Sequence, residues 1–336
     1  MSEITKLKAP LTESDITKHW KYIDKVYVSV ICTTFNQELY IRDAIESFLA
    51  QETEYKFEII IHDDVSTDST RAILKEYLQK YPSIIKLILQ AENQFSINVN
   101  MPFKHALSLS EGEYVAICEG DDFWCDCKKI DLQINALSAL PNIGLCFHPS
   151  YVSEEEKITN IKYNYSLERR NFTLNDMIYM GGGGCATNSL MIKKSTIQSL
   201  PSWFFTAHVG DVYIQIISSI SGGALYLPYP MSVYRKLSEG SWTKNNTYHG
   251  DSATENIKKL KRTHELLAES YDCIDISVIN RYIGKRYLEI ALLKLKKLQI
   301  KGVASILTQS IIYLKLDFIS VFFDIFRTKI MVENKC

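Results

Sequence analysis

The 336-residue sequence has almost no net charge: 38 Lys and Arg against 39 Asp and Glu leave −1 with the histidines neutral. That balance removes any global electrostatic reason to expect nucleic acid as the partner. The first residues, Met1-Ser-Glu-Ile-Thr-Lys-Leu-Lys-Ala-Pro10, hold no apolar core of signal-peptide length. Nothing there directs the chain to an oxidising compartment, and a cytoplasmic location is expected. The eight cysteines lack the spacing of a zinc site, because only Cys125 and Cys127 lie close together and no second pair of cysteines or histidines accompanies them. They read as reduced thiols, several inside strands, where cysteine behaves as a small hydrophobe. No internal repeat is present. Disorder is not the default for this composition: with 46% hydrophobic and 23% charged residues, the chain can bury a core, as one large domain with an appendage or as two domains.

What is present is an alternation of strands and helices. Tyr27 to Thr33 is a dense β-branched run, as expected of a strand buried on both faces. Helical spacing of Leu39, Ile41, Ala44, Ile45, Phe48 and Leu49 follows, and then a second strand, Phe57 to His62. A turn at 63–68, a helix from about Ser69 to Tyr81 and a strand from Ile84 to Leu89 continue the pattern, with the helix stopping before Pro82. An asparagine-rich loop (Asn93, Asn98, Asn100) leads to a helix at 102–110, a strand at 114–118, a helix at 128–140 and a strand at 143–147. This succession predicts a doubly wound, mostly parallel α/β sheet. Beyond it, 153–171 reads as a hairpin or excursion, 173–180 as a short helix and Gly181 to Gly184 as a flexible or closely approached backbone. Strands are predicted at 186–192, 224–227 and 231–235, a helix at 211–219, and helices from Asp251 onward.

The organising stretch is Tyr114-Val-Ala-Ile-Cys118 followed by Glu119-Gly-Asp-Asp-Phe-Trp124, a buried strand ending in three carboxylates within four residues. At the C-terminal end of a parallel strand such a cluster opens on the ligand crevice and suits a cation, unless it is only a solvated turn. Earlier in the chain, Phe35 either offers an aromatic face to a nucleobase or fills the core. Asp64 either accepts a hydrogen bond from the N3–H of uracil or closes an Asx turn, while Asp63, Ser66 and Asp68 suit turns and caps.

These residues resemble the inverting glycosyltransferases of family 2, whose nucleotide-sugar-binding fold is called GT-A. The resemblance rests on Val28-Ser-Val-Ile-Cys-Thr-Thr-Phe-Asn36, Glu58-Ile-Ile-Ile-His-Asp-Asp-Val-Ser-Thr-Asp68, Gly112-Glu-Tyr-Val-Ala-Ile-Cys-Glu-Gly-Asp-Asp122, and Gly210-Asp211 followed by Met231-Ser-Val-Tyr-Arg235. It implies a GT-A domain over 26–245, with a nucleotide-sugar half at 26–150 and an acceptor half at 151–245, an N-terminal extension at 1–25 and a helical region at 250–336. It also implies a nucleotide-diphosphosugar donor, with UDP favoured, and a Mn²⁺ or Mg²⁺ ion held by Asp121 and Asp122. Thr33, Phe35, Asn36, Asp64, Asp121, Arg235 and Trp242 would contact the donor, and Asp211 would be the base that takes the acceptor's proton, or a helix cap, or both. His208 is a rival base. Where many members carry a metal-binding histidine this chain has Leu237. The acceptor would be a glycan or lipid-linked saccharide in surface polysaccharide synthesis, with no nucleic acid involved and a homo-oligomer as a further possibility. Two other readings stay open: a nucleotidyltransferase on a related sheet, for which Thr33-Thr-Phe-Asn-Gln37 lacks a glycine-rich basic loop, and a sugar-nucleotide-binding module without catalysis.

The C-terminal region combines seven Lys or Arg and one Glu over 281–301 with a largely apolar 302–323. Lys315, Asp317 and Asp324 interrupt the apolar part, and its longest uncharged run falls short of the ~18 to 20 residues that span a bilayer. A peripheral contact of 281–326 with a membrane surface is one expectation; packing on the catalytic domain or on a second subunit is the other.

Overall fold

The computed structural model describes residues 5–236 and 250–333. The described residues form two compact units, one built from 5–177 and 182–236, the other from 178–181 and 250–333.

The first unit is organised by an eight-stranded sheet. Its centre is β1 (Val28–Thr34), flanked in parallel by β2 (Phe57–Asp63) and β4 (Tyr114–Ile117), with β3 (Ile85–Leu89) parallel outside β2. Nearly every residue of β1, β2 and β4 is buried, which is why their sequences read as continuous apolar runs instead of alternating ones. On the other side of β4 comes β10 (Met191–Lys193), antiparallel to both β4 and β6 (Leu145–Phe147), and then β11 (Ala224–Tyr226) and β9 (Arg170–Phe172). A second sheet orders β5 (Phe123–Trp124), β12 (Ser232–Arg235), β7 (Ser150–Glu154) and β8 (Lys157–Lys162). The expected excursion at 153–171 is therefore a β7–β8 hairpin plus β9.

Helices at Ile41–Leu49, Thr70–Lys80, Met101–Leu109 and Lys129–Ser138 fill the connections. Ile41, Ala44, Ile45, Phe48 and Leu49 are all buried, as their spacing predicts, and Phe48 meets Trp124 edge to face at 4.8 Å. The residues before β1 join this unit: the Ala9 N–H donates to Glu46 at 2.7 Å, and the Tyr81 hydroxyl donates to the Pro10 carbonyl at 2.5 Å.

Two local expectations change. The predicted strand at 186–192 is a 3₁₀ turn at Thr187–Ser189 and only then a three-residue strand. Its polar residues follow the turn because Asn188 and Ser189 have side-chain partners inside the fold. Gly181–Gly183 forms a 3₁₀ turn, and a Cβ on Gly182 would come within 2.6 Å of Val212 Cγ2, so the run is closely approached there.

The second unit is helical, with helices at Gly250–Ser270, Ile276–Lys296, Val303–Leu314 and Phe318–Glu333. The second and third of these pack closely. A Cβ at Gly284 would sit 2.7 Å from Leu314 Cγ, and Ser310 Oγ donates to the Gly284 carbonyl at 2.9 Å. The backbone breaks at Lys315 (φ 49°), and Val321 and Ile325 fold back onto Leu288 and Leu314.

Candidate active site

Because β1, β2 and β4 are parallel, the loops that follow them leave from one edge of the sheet. Those loops are tied to one another. The Asp64 N–H donates to the Thr34 carbonyl at 3.0 Å, the Gly120 N–H to the Thr33 carbonyl at 3.0 Å, and the Asn36 N–H to Ser66 Oγ at 2.8 Å. Asn36 takes a left-handed φ of 51° and accepts the Thr67 N–H on its side-chain oxygen at 2.7 Å. Asparagine tolerates that conformation better than most residues, so its place at this corner is a backbone requirement. Gly120 is required by space: a Cβ there would lie 2.4 Å from Gln37 Oε1 and 3.0 Å from Thr34 Cβ. Phe35, at the tip, is 45% exposed and so is not a core residue.

The first acidic turn is bonded internally. Asp63 is fully buried, and its Oδ2 meets Arg71 Nε at 2.5 Å and accepts the Ser66 N–H at 3.2 Å. Asp64 accepts the backbone N–H of Gln94 at 2.7 Å and of Phe95 at 2.9 Å, closing the start of the short helix Gln94–Ile97. Asp68 accepts from Thr70 at 2.9 Å and from Glu38 at 3.0 Å. The expected ligand role of Asp64 thus shares its carboxylate with a structural one.

The second acidic turn divides differently. Asp122 is buried, with Oδ2 accepting from Asn188 Nδ2 at 2.9 Å and Oδ1 from the Arg235 N–H at 2.8 Å. Asn188 is in turn held by Ser232, whose Oγ donates to its Oδ1 at 2.7 Å, and its carbonyl accepts from Trp124 Nε1 at 3.1 Å. Both Asp122 oxygens are thus engaged within the fold, while Asp121, one residue earlier, is partly exposed. Glu119 is open to solvent on one side and crowded by protein on the other. That crowding, with the Asp121 and Asp211 charges added, pushes its carboxyl up to about 8.

Arg235 is only 4% exposed and does not present a free guanidinium to a phosphate. Its Nη2 meets Asp43 at 2.5 Å, its Nε donates to Glu156 at 2.9 Å and its Nη1 donates to the Asp121 carbonyl at 2.9 Å. Lys6 joins the same two carboxylates at 2.7 Å each. Arg235 therefore braces the acidic loop through its backbone and its side chain. Trp242 and Leu237 lie outside the described residues.

Asp211 opens the helix Asp211–Ser218, with Gly210 at the N-cap position. Its Oδ1 accepts the Val212 N–H at 2.8 Å, which fixes the carboxylate's direction, and burial raises its carboxyl above the usual range. The segment before it is anchored by the asparagine loop, where Asn100 Nδ2 donates to the Phe204 carbonyl at 2.8 Å and to that of Ala207 at 3.1 Å. A Cβ at Gly182 would lie 3.9 Å from Asp211 Oδ2. Tyr163, at a left-handed φ of 61°, also faces this centre: its hydroxyl is pushed up by burial and by several neighbours, Asp211 and Asp122 among them.

Four residues of this site escaped sequence reasoning: Asn188, Asp43, Glu156 and Tyr163. Asn188 was signalled by Thr187-Asn-Ser189 interrupting an apolar run. The others carried no local signal, since they reach the site only through tertiary contacts. Among the described residues no three His, Cys, Asp or Glu converge as a self-sufficient metal cage. A hard cation here would take one or two carboxylates from the protein and its remaining oxygens from elsewhere, the pattern of Mg²⁺ at phosphate sites.

A sequence model described as glycosyl transferase family 2 matches residues 29–199, half of the chain. The chain belongs to that family. It is 34% identical over 216 residues to an uncharacterized protein of Mycobacterium tuberculosis, a match covering 64% of this chain and 60% of that protein. A putative teichuronic acid biosynthesis glycosyltransferase of Bacillus subtilis, TuaG, is 38% identical over 100 residues, 30% of this chain and 38% of its own length. Among solved structures, TarS 1-349 of Staphylococcus aureus in complex with UDP-GlcNAc superposes with a TM-score of 0.62 at 17% identity, covering 88% of this chain and 81% of that one. At that identity the likeness establishes the fold: a mixed α/β sheet of the GT-A kind with helices after it.

Proposed function

We propose that this family 2 chain transfers a sugar from a nucleotide diphosphate, with UDP favoured, to a hydroxyl of a glycan or lipid-linked saccharide, inverting the anomeric carbon. The observation that carries the reading is that Asp121 and Asp211, from loops some ninety positions apart, both lie near enough to Glu119 for their charges to add to burial in raising its carboxyl. A fold tolerates such repulsion where a cation belongs.

In this reading Phe35 stacks on the base at the end of β1, with Thr33, Asn36 and Asp64 shaping the base and ribose pocket. Asp121 would hold a divalent cation, Mn²⁺ or Mg²⁺, with Glu119 beside it, and when bound that cation would supply positive charge to the leaving diphosphate. Asp211 takes the proton of the acceptor hydroxyl as its oxygen bonds to the anomeric carbon, and the bond from that carbon to the diphosphate oxygen breaks. Asp122, Asn188 and Arg235 keep Asp121 and the loop in place, and Tyr163 and Gly182 border the acceptor side of Asp211. The relation to TuaG supports surface polysaccharide as the acceptor class.

Hydrolysis of a panel of nucleotide sugars, with and without Mn²⁺, tests the reading, with Asp211→Asn as the control. Cation-dependent turnover of one nucleoside class, lost in the control, supports it. Donor binding without turnover, and with no response to the control substitution, would assign the site to a binding module.

A further inference from the structure

We propose that the turn joining the helices Ile276–Lys296 and Val303–Leu314 seats on an anionic lipid surface. Every residue from Leu295 to Gly302 is exposed, and the segment interleaves Lys296, Lys297 and Lys301 with Leu295, Leu298 and Ile300. Leu298 is 86% and Ile300 74% exposed.

The backbone makes Leu298 the informative residue. Lys297 caps the helix, and Leu298, the next residue, has φ 57°, while the Gln299 N–H returns to the Lys294 carbonyl at 2.9 Å. This is the left-handed position that ends many helices, and glycine is the residue that enters it without steric cost. A leucine there is locally unfavourable, and within this unit its side chain buries almost nothing in return. The lysines of the last turn have a local reason, since cations there offset the helix dipole. Leu298 and Ile300 have none, so their reason lies outside the described fold.

The partner is identified by charge and by symmetry. The acidic residue nearest in sequence, Glu289, is paired with Arg286 at 2.5 Å, and Asp317 on the other side lies 3.7 Å from Arg281, leaving the turn itself basic. Apolar side chains between lysines fit a bilayer interface, where the chains enter the headgroup boundary and the ammonium groups meet anionic lipid. A second copy fits poorly, because a two-fold contact would set this turn against itself, lysine against lysine. Further exposed apolar residues of this unit are Ile311 and Ile312 toward the end of the next helix and, past that end, Leu316, which is 99% exposed. The stretch Val303–Ile325, 23 residues with mean hydropathy 1.5, is long and apolar enough to cross a membrane by length and composition alone. Its break at Lys315 and the return of Val321 and Ile325 onto Leu288 favour a unit that lies on the surface.

The test uses the full chain without donor, so its outcome is independent of the transferase reading. Binding is measured by co-sedimentation with phosphatidylcholine vesicles, with and without phosphatidylglycerol, at low and high salt. The intact chain should bind the anionic vesicles and be released by salt. The triple variant Lys296→Gln, Lys297→Gln, Lys301→Gln should bind at least ~10-fold more weakly. Leu298→Gly should also weaken binding while leaving the thermal midpoint equal or higher, a combination that a purely structural leucine would not show. Equal binding to neutral and anionic vesicles overturns the proposal. So does the absence of vesicle binding together with a dimer in light scattering that Leu298→Gly dissociates, which would assign the turn to a second copy.

Discussion

The two acidic turns of the first unit follow parallel strands, leave from the same edge of one sheet and carry three carboxylates each. Their electrostatics are opposite. At Asp63, Asp64 and Asp68 each carboxylate accepts hydrogen bonds from the protein, and Asp63 is paired with Arg71. At the second turn Asp122 accepts from Asn188 and from the Arg235 N–H, and at Glu119 the charges of Asp121 and of the distant Asp211 add to burial in raising the carboxyl. The difference teaches that acidic residues after a strand are not in themselves a ligand site. What sets the second turn apart is the carboxylate charge that a distant loop brings to it.

The contrast breaks most visibly at Asp211. Asp211→Asn should lower turnover by ~10² or more with donor affinity nearly kept, because a positioned proton acceptor is lost and an amide keeps the shape. Steady-state kinetics at saturating donor and acceptor measures it; near-normal turnover would move the base to another group. Asp63→Ala and Asp121→Asn should then separate the two turns. The first should cost about 2 to 3 kcal/mol of stability in urea unfolding, since it strips the partner from Arg71 and from a buried turn. The second should leave stability unchanged or slightly higher while abolishing the response of turnover to Mn²⁺. If both variants behave alike, the comparison fails.

A pH experiment sharpens it further. Glu119 is raised in the folded chain, to about 8, above its ordinary 4.5. The folded state therefore holds a proton that the unfolded state releases, and stability from this group falls as pH rises from about 4.5 to about 8. A divalent cation offsets the same repulsion, so Mn²⁺ should raise the thermal midpoint more at pH 8 than at pH 5, and Asp121→Asn should remove most of that difference. The raised carboxyl of Asp211 shifts the acid limb of the rate profile in the same direction, above the ordinary aspartate range. The smallest effect concerns the tip of β1: Phe35→Ala should raise the donor KM several-fold with kcat little changed, the scale of one lost stacking contact.

Much of this was legible along the chain. The strands at the sheet centre are continuous β-branched runs because parallel strands are buried on both faces, and the helices between them show their buried side by spacing. Asp211 at a helix start and the acidic run after β4 stand out because glycine precedes one and interrupts the other. Less was legible where a residue's role depends on partners far away. Asp122 and Arg235 read as ligand contacts, yet the fold joins them through a backbone N–H at 2.8 Å and surrounds Arg235 with Asp43 and Glu156. Asn188 sits in a stretch whose strand pattern gives way to a turn because its side chain is needed at Asp122.

The sequence by itself determined the family, the order of strands and helices and which loops carry carboxylates, because hydrophobic period and turn chemistry are local properties. Which groups each of those carboxylates meets was settled by the tertiary structure alone. Arg71 comes from the helix that follows its own turn, whereas Asn188, the Arg235 N–H and two backbone N–H groups of the Gln94 helix come from other segments and leave no mark in the residues beside the carboxylates they meet.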